Sequence, residues 1–294
     1  MKKFLLGCAL LCAAQFVWAL PPYLLAGKLP AGELSTQLSQ VEQKLKAEGF
    51  TVLGKHTPKG IAGYATLVVS DPDMLEAIRA SGTNSSIIAA GIRVGVGSDG
   101  AVTYMNPDYW YRAYLRGHYG AAGKAIKSVQ GRLEKALGAG VGFGGDVPQG
   151  ELANYRYMFG MERFDSENSQ LSTHASFEDA LKAVQGNLAR GVGDTQRVYE
   201  VVMPAQKMAV FGVAMNSGSD GEAWWVNKIG ADHPAGLPYE VFIVDNKVYA
   251  LYARYRIALA WPALGMGQFM GIINAPEAIR TTLSRVAAPN VPGN

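Results

Sequence analysis

Leu34, Leu38, Val41 and Leu45 recur at steps of three and four, with Ser, Gln, Glu and Lys between them. That period predicts an amphipathic helix from about Ala31 to Glu48, stopped by Gly49. The pattern then changes. Phe50 to His56 alternates loosely, and Tyr64 to Val69 is rich in β-branched residues; both read as strands. Asp71-Pro72 opens a short helix, Asp as its cap and Pro in its first turn, carrying Met74, Leu75 and Ile78 inward. Ile87 to Val96 and Ala101 to Met105 read as two strands around the turn Ser98-Asp99-Gly100. Asn106-Pro107 caps a helix over Asp108 to Leu115, and another helix covers Ala121 to Leu137.

Gly138 to Gly150 is rich in glycine and reads as a flexible linker and module boundary. Beyond it the order of elements returns. Phe177 to Leu188 is helical, Gln196 to Met203 and Met208 to Val213 are strands, and Glu222 to Ile229 is a short helix. Tyr239 to Val244 and Lys247 to Tyr252 form a second hairpin around Asp245-Asn246, and a helix from Pro276 to Val286 closes the fold. The hairpins overlay with Tyr109 on Tyr255, an offset of about 146 residues. The predicted class is therefore α+β: two similar modules, 20–137 and 151–294, each an antiparallel sheet with helices packed on one face, paired as a pseudo-dimer.

Leu45-Lys46-Ala47-Glu48-Gly49-Phe50-Thr51-Val52 is similar to the helix, Gly-Phe, strand opening of domain-of-unknown-function family 302. Leu237-Pro238-Tyr239-Glu240-Val241 resembles the leucine-proline lead into that family's hairpin, whereas the first half has Ser86-Ile87 there. The resemblance covers roughly 34–115 and, more weakly, 177–259. It implies small bacterial α+β modules, sometimes dimeric, and no defined chemistry.

The first nineteen residues change the setting. Lys2 and Lys3 precede an apolar run from Phe4 to Ala14, and Val17-Trp18-Ala19 ends in a small residue before Leu20-Pro21-Pro22. This is the layout of a secretory signal peptide over 1–19, so the expected location is periplasmic or secreted. Both cysteines, Cys8 and Cys12, lie inside it. The exported chain would then lack disulfides, thiolate metal sites and a cysteine nucleophile. Removing Lys2 and Lys3 lowers the formal charge from +3 to +1, which leaves no footprint for nucleic acid. The apolar stretch from Ile257 to Ile273 is broken by Pro262 and three glycines, so no membrane span is expected after signal cleavage.

Candidate chemistry concentrates in aromatic–arginine segments. Tyr104, Asn106, Tyr109, Trp110 and Arg112 in the first half match Tyr252, Arg254, Tyr255 and Arg256 in the second. Tyr and Trp offer an apolar body with one polar tip, and Arg pairs with carboxylate or phosphate. These nine residues are the candidate lining of a groove between the modules, against the alternative that they are core. The function expected is a non-enzymatic exported binding module for a small amphipathic ligand or a partner segment. If the aromatics instead form an interface, the chain is a homodimer. Met158, Met161, Met203, Met208, Met215, Met266 and Met270 raise copper handling as an alternative, although no histidine pair stands at metal spacing and no metal residue is assigned. Ser217 with Asp232-His233 is the only hydrolase constellation, with no Gly-x-Ser-x-Gly elbow around it. Gly95-Val96-Gly97-Ser98-Asp99-Gly100 is followed by a strand rather than a helix, and no cofactor is implied.

Overall fold

A computed structural model describes residues 18–230 and 233–289. Most of the expected signal peptide lies outside the described residues. The first part of the chain runs through β1 (Ala19–Leu20), β2 (Tyr23–Leu25), α1 (Leu34–Ala47), β3 (Thr51–His56), β4 (Tyr64–Ser70), α2 (Pro72–Ala80), β5 (Ile92–Gly97), β6 (Val102–Met105), α3 (Pro107–Leu115), α4 (Gly123–Leu137), β7 (Val141–Phe143) and β8 (Val147–Pro148). The second runs through β9 (Gln170–Thr173), α5 (Phe177–Ala189), β10 (Thr195–Met203), β11 (Met208–Met215), α6 (Glu222–Ile229), β12 (Tyr239–Val244), β13 (Lys247–Tyr249), α7 (Ala253–Ala260), α8 (Met266–Gly271) and α9 (Ala275–Ala287). The fold is α+β. One antiparallel sheet has the order β3-β4-β5-β6-β2-β7 and the other β10-β11-β12-β13-β9.

Local chemistry explains most boundaries. Leu38, Val41 and Leu45 are the buried stripe of α1, and Gly49 ends it at φ 86°. Asp71 caps α2 by accepting the Met74 amide at 3.0 Å, with Pro72 in the first turn. Asn106 caps α3 by accepting the Asp108 amide at 3.2 Å. The Gly-rich stretch is a correction to the expected linker: it supplies β7, which pairs with β2, and β8, which pairs with β1. A Cβ on Gly142 would lie 2.4 Å from Pro21 Cγ, so this glycine serves close packing rather than slack.

One-sided sheets would alternate buried and exposed residues, yet β5 and β11 are buried at every position. Each half supplies the missing cover for the other. The 3₁₀ turn Asn84–Ala90 of the first half lies on β11 and β12, with Ile87 and Ile88 fully buried. The 3₁₀ turn Pro234–Gly236 of the second half lies on β4, β5 and β6, where Thr66 Oγ1 donates to Pro234 O at 2.7 Å. Helices therefore cover one face of each sheet, and the opposite half covers part of the other.

The sheets also meet edge to edge. β3 and β10 each carry an extra residue, Leu53 and Val198, at a break in register. A Cβ on Gly54 would sit 2.1 Å from Val198 O, so only glycine lets the two backbones come this close. Beside the edge contact, His56 Nε2 faces Glu222 Oε1 at 2.7 Å, both residues buried.

Candidate functional site

Six of the nine sequence candidates lie in the core. Tyr104, Asn106, Tyr109, Trp110, Tyr255 and Arg256 are all buried. The polar tips of all but Tyr255 are taken up by backbone carbonyls or by ion pairing. Tyr109 Oη donates to Leu259 O at 2.8 Å, Trp110 Nε1 to Pro22 O at 2.8 Å, and Tyr104 Oη to Gly138 O at 3.1 Å. Asn106 Nδ2 donates to Pro21 O at 2.9 Å. These contacts tie distant segments together and leave no groove at these positions. The other three sit further out and are already engaged. Arg112 pairs with Asp108 at 2.9 Å and lies 4.1 Å over the Tyr119 ring. Arg254 pairs with Glu162 and lies 5.3 Å from the Tyr252 ring.

Arg256 belongs to a sealed knot between the two sheets. Glu240 on β12 accepts from Arg256 Nε at 2.9 Å and also from Arg93 Nη1, which reaches across from β5. Arg93 Nε donates to Ala235 O at 2.8 Å and Arg256 Nη2 to Gly236 O at 3.0 Å. Both guanidiniums stand over the Trp110 ring, at 4.6 and 5.1 Å. Burial works against the Arg256 charge, but the charge and hydrogen bonding of Glu240 and the neighbouring Tyr114 and Tyr23 together hold the pKa above the ordinary value. The knot joins the halves and is closed to solvent.

An open cleft begins where α3 stops. Arg116 ends that helix at φ 51° and ψ −119°, a conformation that suits glycine and strains a side-chain-bearing residue. Its guanidinium lies 4.2 Å over the Phe164 ring. Nη1 stands 3.7 Å from Asp165 Oδ2, too far for a hydrogen bond, and the buried Nε has no hydrogen-bond partner. These groups, with His118, Asn154, Tyr155 and Arg163, surround a cleft of about 460 Å³. A second recess of about 260 Å³ shares Arg116, Phe164 and Asp165 and continues over Phe242, Val244 and Tyr249. Phe242 and Tyr249 stack at 5.4 Å and 18° on neighbouring strands β12 and β13.

The aromatic core forms the back of this cleft. Phe164 meets Tyr255 and Tyr114 edge-on at 6.2 and 6.5 Å. Tyr155 Oη donates to Ala258 O at 3.0 Å, and burial pushes its phenol well above the ordinary range. Sequence reasoning reached the wall behind the cleft and missed Arg116, Arg163, Phe164 and Asp165, which face it. In Arg116-Gly117 the usual signal assigns the left-handed turn to the glycine; here the arginine takes it.

Ser217 donates to Asp220 within its own loop. His233 packs among Tyr23, Phe143 and Trp261, and Asp232 lies outside the described residues. Met203, Met208 and Met215 are buried on β10 and β11, while Met158, Met266 and Met270 are exposed. Among the described residues, no three His, Cys, Asp or Glu side chains form a group that could hold a metal ion. A recess of about 400 Å³ beside His174 and Asp179 lies at the end of α9, where Ser172 and His174 reach Ala287 O at 2.7 and 3.0 Å. No helix among the described residues is long and apolar enough to cross a membrane. No protein-family model matches the chain, and no curated protein matches it significantly.

Proposed function

We propose that this chain is an exported, non-enzymatic binding protein whose cleft beside Arg116 takes a small amphipathic ligand. The observation that carries the reading is Arg116 itself. Holding a non-glycine residue in that backbone conformation costs about 1–3 kcal/mol, and its buried Nε adds an unsatisfied donor. Such a cost is understandable if a ligand uses the guanidinium. Two recesses that share Arg116, Phe164 and Asp165, one more polar and one more apolar, suit a site that orients a ligand by a few polar groups. Two tandem modules of the family-302 type, 20–137 and 151–294, would account for the repeated order of elements. The cleft would then draw its walls from both modules.

Native mass spectrometry of the protein from its own exporting host tests the reading. The expected result is an added mass that denaturation removes, and that Arg116→Gly carries in smaller proportion. A protein that carries no added mass and takes up no amphiphile in titration would overturn it.

A further inference from the structure

We infer that the ligand is a single-chain amphiphile with an anionic head, a carboxylate or a phosphate. This rests on the binding reading of the same cleft. Three basic side chains, Arg116, Arg163 and His118, line the larger recess, and Asp165 is its one acid. Asp165 is 72% exposed and stands 3.7 Å from Arg116, so it only loosely occupies the guanidinium. Arg163 forms no ion pair among the described residues. A cleft with spare positive charge recruits an anion, and the planar guanidinium fork fits the paired oxygens of a carboxylate or phosphate.

The direction of the chain follows from what lies beyond Arg116. Phe164 supports the guanidinium, and the second recess, which shares Arg116 and Phe164 with the first, is lined by the stacked Phe242 and Tyr249. No Lys, Arg or His besides Arg116 lines that second recess. An anionic head at Arg116 therefore places its alkyl chain over Phe164 and into the β12–β13 hairpin surface, in a combined space within the range of small-molecule sites.

The test is calorimetric titration of the full exported protein with decanoate, decyl phosphate, decanol and inorganic phosphate, each below its micelle concentration. Decanoate or decyl phosphate should bind at least about tenfold more tightly than decanol, one charge-assisted contact being the difference. Shortening the chain by two methylenes should weaken binding by roughly tenfold. Arg116→Gly, a change the backbone favours, should remove the preference for the anion and leave decanol binding alone. Arg163→Gln, at an exposed position, should reduce the preference without affecting the fold. A preference for decanoate would assign a carboxylate head and a preference for decyl phosphate a phosphate head. Equal binding of decanol and both anionic probes would overturn this inference and leave the binding reading intact. Inorganic phosphate binding as tightly as decyl phosphate would overturn the amphiphile. Binding of none of the probes would count against both.

Discussion

The Glu240 knot and the Arg116 cleft are built from the same residue types and behave oppositely. In each, an arginine lies over an aromatic ring, 4.6 Å for Arg93 on Trp110 and 4.2 Å for Arg116 on Phe164. In the knot, carbonyls and a shared carboxylate take up most of the donors, and Arg93, Arg256 and Glu240 are 1–2% exposed. At the cleft the Arg116 side chain is 28% exposed, and its acid stands too far away to bond. The lesson is that composition does not separate a structural arginine from a ligand-facing one. What separates them is whether the protein itself satisfies the charge.

The largest effect that would sharpen the contrast is alkaline. Burial holds the hydroxyls of Tyr23, Tyr109, Tyr111 and Tyr199 well above the ordinary phenol value of 10.0. Below that value folded and unfolded chains both keep these protons, and the groups add no pH dependence. Above it the unfolded chain releases them while the folded chain retains them, so stability falls as pH rises. Each tyrosine contributes about 1.4 kcal/mol per pH unit over this window. Phenolate absorbance and circular dichroism should change together in one cooperative step. Gradual phenolate formation in a chain that stays folded would show that the core is open to solvent.

Glu240→Ala comes next. It leaves two buried guanidiniums without their carboxylate and should cost about 3–5 kcal/mol. Asp165→Ala, at the exposed partner of Arg116, should cost less than about 1 kcal/mol. Denaturant midpoints measure both, and similar losses would erase the distinction between the regions. Gly54→Ala should cost about 1–3 kcal/mol in the same assay, because its Cβ would drive into Val198 O and part the two sheet edges. The smallest effect has the opposite sign. Arg116→Gly should raise stability by about 0.5–1 kcal/mol as it removes the proposed preference for an anionic ligand. A loss of stability instead would mean that Arg116 holds the fold together.

The repeating elements were legible because their signals are local. Asp71, Asn106 and the apolar stripe of α1 each act within a few residues of themselves. β2, β7 and β9 are four residues or fewer, and partners far along the chain define them. α3 shows why the sequence points to buried aromatics rather than to the cleft beside Arg116. Seven of its nine residues are buried and only the Asp108–Arg112 pair reaches the surface, so its pattern does not mark which aromatics meet solvent. The glycines of 138–150 carry the composition of a flexible tether, but Gly142 is set by the nearness of Pro21, which no local pattern encodes.

The reciprocal 3₁₀ turns bear on the order in which the chain can mature. Asn84–Ala90 has its sheet in the second half, and Pro234–Gly236 has its sheet in the first. Neither half can finish its own interior while the other is unmade, because loop closure between such distant segments precedes the contacts that reward it. Under the proposed export, a chain threaded out of the cytoplasm from its N-terminus would emerge with the apolar strands of its first half still uncovered. Structure would arrive late and all at once, when the last hairpin is released, and until then the chain would depend on whatever shields it from its neighbours.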